Sequence, residues 1–398
     1  MPHARKRSIL TLLEKKLTFS RIVTLQGCRQ SGKSFLAREI LQKLHPGSKY
    51  LTFDQKVQKT FAQDNPESFL KRYIEATPLI LDEAQKVSDI FDAIKFEVDQ
   101  NPKPGQYVLL GSTEFSKLLH IRESLTGRMS RLRLFPLTLS ECLEIEPPSV
   151  APLAHLLHTK PRATRTALLK HFERGGFPGI FAVRDEASRN DFFQDWINLT
   201  LERDLHQFPG ISVDTELARE ILQRLVLLPE PTASNLARAV RRDTRAVQKI
   251  LTLFETLFVV HRLNPFREGT GKSLYFLCDV GLANSLGADF ERQLWTWLLQ
   301  EQLAQRGFQA DEGWRLFHFR SSKGKFIHLV AENLRLRELT VIKILSCEKM
   351  DLREIEILKA FRRRIQPEFK KVRLIAWGPM PHGEWDDSIE TYPWESLV

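Results

Sequence analysis

The sequence predicts an α/β chain: an N-terminal parallel sheet flanked by helices, then a helical region, a small helix–hairpin unit and a second, smaller α/β domain. Three observations predict it. Short apolar runs alternate with helix-period segments over residues 1–145, the pattern of strands joined by crossover helices and buried on both faces. Gly27-Cys28-Arg29-Gln30-Ser31-Gly32-Lys33-Ser34 stands between the first such run and the first such helix, so a glycine-bearing turn feeds a helix N-terminus. Pro147, Pro148 and Pro152, then Pro229 and Pro231, punctuate the chain where neither helix nor strand continues easily.

In the first region the strand candidates are Ile22–Gln26, Tyr50–Asp54, Leu79–Glu83, Tyr107–Ser112 and Arg131–Phe135. Phe35–Leu44 reads as a helix, with Leu36, Ile40, Leu41 and Leu44 on one face. Residues 146–230 read as a mostly helical linker or lid, broken by the turn Gly175-Gly176-Phe177-Pro178-Gly179. Residues 231–286 read as helix, turn, helix and hairpin, a winged-helix pattern. Thr232 or Ser234 caps a helix to Val240, and a second helix from Thr244 to Leu257 stripes Val247, Ile250, Leu251, Phe254 and Leu257. Phe258–Leu263 and Leu274–Asp279 then form strands. Residues 287–398 read as a helix at Phe290–Arg306, strands at Arg315–Arg320, Lys325–Val330 and Leu339–Leu345, a helix at Leu352–Ile365 and a strand at Lys371–Trp377.

Composition fits this division. A chain of 398 residues exceeds one ordinary core, and 42% hydrophobic with 27% charged residues is the profile of a folded protein. The net charge of +10 favours polyanionic partners: nucleotide, nucleic acid or an anionic surface. Cys28, Cys142, Cys278 and Cys347 are scattered, which argues against a zinc or disulfide framework and for reduced thiols in a cytoplasmic protein. Ser8–Arg21 lacks the apolar core and cleavage site of a signal peptide, and no apolar run reaches the length of roughly 18 residues that a membrane span needs.

The residues that carry chemistry lie in the first region. Gly27–Ser34 matches G-x-x-x-x-G-K-[ST], a loop whose main-chain N–H groups, here from Gly27 through Phe35, curl around the β- and γ-phosphates of ATP. Lys33 would bring an ammonium to the phosphates and Ser34 a hydroxyl to Mg²⁺. Leu79-Ile80-Leu81-Asp82-Glu83 ends an apolar strand in two carboxylates. Asp82 would hold the metal ion and Glu83 would polarise the attacking water as general base. Gly111-Ser112-Thr113 ends a strand expected between the other two, where Ser112 or Thr113 would orient the water. In Glu123-Ser124-Leu125-Thr126-Gly127-Arg128, Arg128 is the candidate that neutralises transition-state charge, in cis or from a neighbouring subunit, with Arg122, Arg131 and Arg133 competing for the role. Gly269-Thr270-Gly271-Lys272-Ser273 is a decoy: Phe266 stands where the first glycine would be, and a strand follows.

These motifs resemble a known family. The loop with Arg29-Gln30 inside it, Leu81-Asp82-Glu83-Ala84-Gln85-Lys86-Val87, Gly111-Ser112-Thr113, and Glu123–Arg128 followed by Leu134-Phe135-Pro136-Leu137 are similar to the prokaryotic AAA-14-type P-loop ATPases. Gly175-Gly176-Phe177-Pro178, Glu202-Arg203-Asp204, Asp279-Val280-Gly281-Leu282 and Phe290-Glu291 resemble the rest of those proteins, whose tail is domain of unknown function 4143. The resemblance implies an AAA-like P-loop core, a helical and winged-helix middle and a C-terminal fold like restriction-type nucleases. It adds Arg203 to Arg128 as a candidate that senses nucleotide or a neighbouring domain, the alternative being a structural Arg203 salt-bridged to Glu202 or Asp204.

It also implies where a nuclease would keep its metals: an acid on one strand and E-x-K on the next. Here the matching residues are Phe326-Ile327-His328 and Val341-Ile342-Lys343, so Lys343 stands without its glutamate and only Glu291 matches a retained acid. Glu332 is expected on the same face as His328. His328 is a poor Mg²⁺ ligand, so the expectation is a degenerate domain without nuclease activity. Separately, Arg238, Arg241, Arg242, Arg245 and Lys249 face one acid, Asp243, across the helix–turn–helix, a cluster suited to DNA phosphates. The expected function is an ATP- and Mg²⁺-dependent switch whose partner is DNA, another protein or a second copy of the chain. The alternative is an interaction module that holds nucleotide without turnover.

Overall fold

The structure, a computed structural model, describes residues 4–117, 127–145, 160–208, 210–267, 269–305, 309–310, 313–345, 352–380, 383–386 and 388–398. The chain forms two compact units, one of residues 7–136 with 256–259 and one of residues 1–6, 137–255 and 260–398.

The first unit is built on a five-stranded sheet in the order β2-β3-β4-β1-β5. The strands are β1 (Ile22–Gln26), β2 (Lys49–Thr52), β3 (Leu79–Asp82), β4 (Tyr107–Gly111) and β5 (Met129–Arg133). All neighbours pair in parallel, so all C-terminal strand ends lie along one edge. β1, β3 and β4 are buried throughout, which is why these strands read as unbroken apolar runs. Phe69 is fully buried, with ring centroids 5.7, 5.5 and 5.4 Å from those of Phe53, Phe61 and Tyr73; burying such a side chain is worth about 2–3 kcal/mol. Each predicted strand of this region lies within two residues of its observed position. The helix expected at Phe35–Leu44 begins at Lys33–Phe35, passes through a π segment at Leu36–Leu41 and ends at Gln42–Leu44. The segment Thr256–Val259 also belongs to this unit: the Glu114 N–H donates to Thr256 O at 2.8 Å.

The second unit has a short helix at Leu139–Leu143 and then helices at Arg165–Arg174, Glu186–Leu199, Thr215–Leu227, Ala233–Ala239 and Thr244–Thr256. Thr232 caps the helix Ala233–Ala239, its Oγ1 accepting from Asn235 N–H at 3.1 Å. An eight-stranded sheet follows in the order β12-β13-β11-β10-β9-β8-β6-β7. Its strands are β6 (Val260–Pro265), β7 (Leu274–Leu277), β8 (Trp314–Arg320), β9 (Phe326–Asn333), β10 (Glu338–Ile344), β11 (Lys371–Gly378), β12 (Gly383–Asp386) and β13 (Ile389–Pro393). The hairpin and the tail, expected as separate domains meeting at 286/287, share this sheet: β6 pairs with β8 through Asn264 and Pro265. They also share a core, in which Leu168, Phe172, Leu263, Phe276, Trp297 and Trp377 are all buried. β12 and β13 were not foreseen.

One sequence expectation changes here. Glu332 does not share a face with His328. β9 shifts register against β8 between Phe317 and Phe319, and such an irregularity turns the side chains beyond it. Glu332 pairs with Leu339 and Val330 with Val341, in the core cluster that contains Leu339, Val330 and Val341. His328 instead packs against Trp295, 4.9 Å between ring centroids, on the side of the other cluster. Two motifs quoted for the resemblance meet as one structural feature. Asp279, fully buried, caps the helix Val280–Ser285 by accepting from Leu282 N–H at 2.9 Å and also accepts from Gly176 N–H at 2.7 Å.

The helix Phe290–Ala304 buries Glu301, whose Oε1 accepts from Leu139 N–H at 2.7 Å and Trp297 Nε1–H at 2.9 Å. Burial, with a smaller contribution from Glu141, pushes its carboxyl up to about 7. A carboxyl raised in the fold contributes stability that is full below its unfolded value and is lost as pH rises through the folded value. Glu301→Gln keeps an acceptor for both bonds. The variant should therefore gain stability relative to the wild type between about pH 5 and about pH 8, measured as the urea midpoint of each protein across that range.

Candidate nucleotide-binding site

The site lies where β1, β3 and β4 end. β1 closes at Gln26, fixed by its Nε2–H to Thr113 O at 2.6 Å. The chain then turns through Gly27, where an added Cβ would sit 2.1 Å from Leu134 O, so only glycine lets the loop pass this close to the strand end. Gly32 has φ +98°, a conformation that side chains disfavour, and it starts the helix at Lys33. Gln30, in the loop, also takes a positive φ of 61°.

The loop's side chains are arranged around its own main chain. Lys33 is buried and its Nζ donates to Gly27 O and Cys28 O, both at 2.8 Å. Burial lowers its pKa, opposed by the nearby charges of Glu83, Cys28 and Asp82. Ser31 is fully buried and its Oγ has no partner among the described residues. Cys28 is buried, Arg29 and Phe35 are half-buried and Ser34 is exposed.

The two carboxylates lie beside the loop and the end of β4. Ser34 Oγ–H donates to Asp82 Oδ2 at 2.5 Å. Glu83 takes φ +54°, and its Oε2 accepts from Gln85 Nε2 at 2.5 Å and from Ser112 Oγ–H at 3.2 Å. Gln85 Nε2 also reaches Ser112 Oγ at 3.2 Å. β4 lies between β3 and β1, so Ser112 stands between the phosphate loop and the acids, as expected of it. Lys33, Ser34, Asp82, Glu83 and Ser112 are thus brought together.

Arg128 is not. It precedes β5, whose first residue Met129 pairs with Ile22 at the start of β1, and the loop follows the far end of β1. Its guanidinium is held by Asp99, Nε to Oδ1 at 2.7 Å and Nη2 to Oδ2 at 2.8 Å. This bidentate pair raises the Arg128 pKa and lowers that of Asp99. A candidate for transition-state charge therefore stands at the opposite edge of the sheet, because Gly127-Arg128 enters a strand rather than leaving one. Arg122 and the rest of Glu123–Thr126 lie outside the described residues. Of the competitors, Arg133 ends β5 opposite Gln26 and stacks over Phe258, 4.4 Å from the ring centroid.

Three residues of this region escaped sequence reasoning. Tyr50 Oη–H donates to Asp82 Oδ2 at 2.5 Å, and its pKa is raised by burial and by Asp82; only the pairing of β2 with β3 reveals it. Gln85 lies inside Leu81–Val87, and its spacing of two from Glu83 was the available signal. Arg7 is buried and bridges Ser31 O at 2.9 Å and Phe135 O at 2.6 Å, bracing the loop from the N-terminal segment.

In the second unit, His328 Nε2 faces Glu291 Oε1 at 3.1 Å, while Nδ1 accepts from Ile344 N–H at 3.2 Å. Burial pushes the imidazole down to about 4, so it is neutral at pH 7 with its proton on Nε2. Among the described residues no three His, Cys, Asp or Glu side chains group to hold a metal ion. Arg203 lies in the π segment Thr200–Asp204 that extends the helix Glu186–Leu199. Arg238, Arg241, Arg242, Arg245 and Lys249 are all exposed. Among the described residues no helix is long and apolar enough to cross a membrane.

Residues 19–143 match the AAA domain family AAA_14, and residues 165–293 match a domain of unknown function, DUF8612. The second match is to a different domain of unknown function from the one the motifs suggested, and it covers the helices and hairpin rather than the tail. An uncharacterised protein of Mycobacterium bovis and one of Mycobacterium tuberculosis are each 24% identical over 298 residues, covering 71% of this chain and 59% of the relative. The chain thus spans about three-fifths of the length of the curated relatives it matches. A solved signal transduction ATPase with numerous domains, carrying a tetratricopeptide repeat sensor, from Pyrococcus horikoshii aligns at 13% identity over 74% of this chain and 46% of its own. Its TM-score of 0.27 is too low to bear on the fold. The parallel sheet, the phosphate loop on its C-terminal edge and the family match agree: residues 19–143 have a P-loop fold and are similar to the AAA_14 family, which supports a nucleotide-binding ATPase at family level.

Proposed function

We propose that the chain is an ATP-dependent switch that binds ATP with Mg²⁺ at the Gly27–Phe35 loop and hydrolyses it slowly. The observation that carries this reading is the convergence of Lys33, Ser34, Asp82, Glu83 and Ser112 on one sheet edge. The residues fit a triphosphate and a divalent cation. Lys33 spends its ammonium on two carbonyls of its own loop, and Ser31 Oγ is buried without a partner among the described residues. Ser34 and Asp82, a hydroxyl and a carboxylate, are the oxygen donors a hard cation takes.

Mg²⁺, when bound, neutralises charge on the phosphate oxygens. The chain's own residues do the rest. Lys33 releases Gly27 O and Cys28 O to reach the phosphates, while loop N–H groups hold them. Asp82 orients Ser34 and Tyr50. Glu83 accepts the proton of the attacking water, and Ser112 and Gln85 fix the carboxylate that does so. Arg128, tied to Asp99, is left out of the chemistry in this geometry; Arg203 remains a candidate sensor.

Lys33→Ala should abolish nucleotide uptake, read as a loss of at least about 100-fold in ATP affinity by calorimetry, since a buried charge-assisted contact to phosphate is removed. Undiminished binding would refute the site.

The exposed cations Arg238, Arg241, Arg242, Arg245 and Lys249 support DNA as the macromolecular partner, read by helix Thr244–Thr256 in a winged-helix arrangement. Binding to duplex DNA should weaken steeply with salt, and Arg241→Ala/Arg242→Ala should make the log–log salt slope shallower by about 1.8. Absence of binding at low salt would leave a protein partner as the alternative. The tail serves contact and packing rather than cleavage in this reading, because His328 replaces an acid and Glu332 lies on the opposite face.

A further inference from the structure

The second unit contains a cavity of about 480 Å³ that the proposed ATPase chemistry does not use. The helix Arg165–Arg174 forms one wall, and Arg5, Leu139 and residues 181–184 contribute others. Its polar lining is strongly cationic: Arg5, Lys170, Arg174 and Arg184. Arg5 pairs with Glu144 at 3.1 Å. Arg5 is further engaged by Cys142 O at 3.2 Å. The side chains of Lys170, Arg174 and Arg184 make no hydrogen bond or ion pair with the described residues. Arg174 Nε is buried and unpartnered there. His171, 4% exposed, also lines the cavity. Its Nδ1 lies 3.9 Å from Cys142 Sγ, while its Nε2 is buried with no partner among the described residues.

Such a wall has a cost unless something satisfies it. Like charges gathered around a hollow repel, and buried polar atoms left unbonded destabilise the fold. An anion removes both penalties, and arginine binds phosphate oxygens two at a time. Three uncommitted cations fit a dianion better than a monocarboxylate. The lining also holds Thr164 and Thr166 and an apolar part, Leu139, Leu143 and Phe181, so the ligand carries carbon as well as charge. The volume is in the range of small-molecule sites.

We propose that this cavity binds a small phosphate monoester. Its phosphate sits among Lys170, Arg174 and Arg184, with His171 Nε2 available to the ester or a hydroxyl, and its carbon part lies against Leu139, Leu143 and Phe181.

Phenyl phosphate is the probe, titrated calorimetrically into the full chain carrying Lys33→Ala so that the phosphate loop contributes no heat. Saturable one-to-one binding is expected. Inorganic phosphate should bind at least tenfold more weakly, because it leaves the apolar wall uncovered. Lys170 and Arg184 are exposed, so Lys170→Glu/Arg184→Glu reverses the charge without disturbing packing, and it should weaken the probe at least tenfold. Folding of each variant is verified by its thermal transition. No saturable binding, or binding unmoved by the charge reversal, would overturn the proposal. Equal affinity for inorganic phosphate would overturn the ester and leave an ion site. If the Lys170→Glu/Arg184→Glu chain unfolds, His171→Gln, with a neutral side chain in place of the imidazole, gives the second test. A shift in probe affinity of at least threefold is expected, and no shift counts against the site.

Discussion

Glu83→Gln is expected to lower steady-state ATP hydrolysis at least about 100-fold, the usual contribution of a general base, while leaving ATP affinity within about threefold. The geometry isolates the proton-accepting role. Glu83 Oε2 accepts from Gln85 Nε2 and Ser112 Oγ–H, and a glutamine carbonyl can take both bonds in the same place. What the variant lacks is the basic oxygen. Its positive φ of 54° is shared by either side chain, so backbone strain does not change. Phosphate release and nucleotide titration on the same preparation check the split. Hydrolysis unaffected by the substitution would remove Glu83 as base, and a wild type that binds ATP but shows no turnover would favour the non-catalytic interaction module.

Asp279→Ala should have the largest effect on stability. The carboxylate is fully buried and accepts from Gly176, Leu282 and Gly281 main-chain N–H groups. Burial still pushes it up to about 6, so it is mostly ionised at pH 7. Removing it strands buried donors, a loss of about 3 kcal/mol or more, equivalent to a fall of roughly 6–12 °C in the midpoint of a domain this size. Asp279→Asn keeps one acceptor oxygen and should lose less than half as much. A thermal scan of both variants checks the order; an Asp279→Ala midpoint within about 1 °C of wild type would show that the cap carries no such burden.

Periodicity made most of the fold legible. β1, β3 and β4 announced themselves because strands buried on both faces must be apolar throughout, and the phosphate loop because only glycine tolerates the approach to Leu134 O. Asp82 and Glu83 were legible as carboxylates ending such a strand. The misses have a common physical cause: they depend on which strand lies beside which. Tyr50 reaches Asp82 only because β2 flanks β3. Arg128 looked available until the parallel register placed it at the wrong end of β5. Glu332 changed face through a single register shift that no alternation pattern records. β12 and β13 are short and follow a proline-rich stretch, so neither gave a strand-length signal. The motifs at Gly175–Pro178 and Asp279–Leu282 were legible only by resemblance, and the bond between Gly176 and Asp279 accounts for the two together structurally.

The sheet that joins β6 to β8 and the core beneath it set a limit on how this polypeptide can be subdivided. Chain scission at 286/287 would leave Leu263 and Phe276 on one fragment and Trp297 and Trp377 on the other, each with a greasy half-interface and β6 and β8 with bare edges. Fragments of that kind seek substitutes, and the nearest is another copy of themselves. The C-terminal strands are therefore not a removable appendage but part of a hydrophobic interior that they share with the hairpin, and that packing alone is reason to retain them.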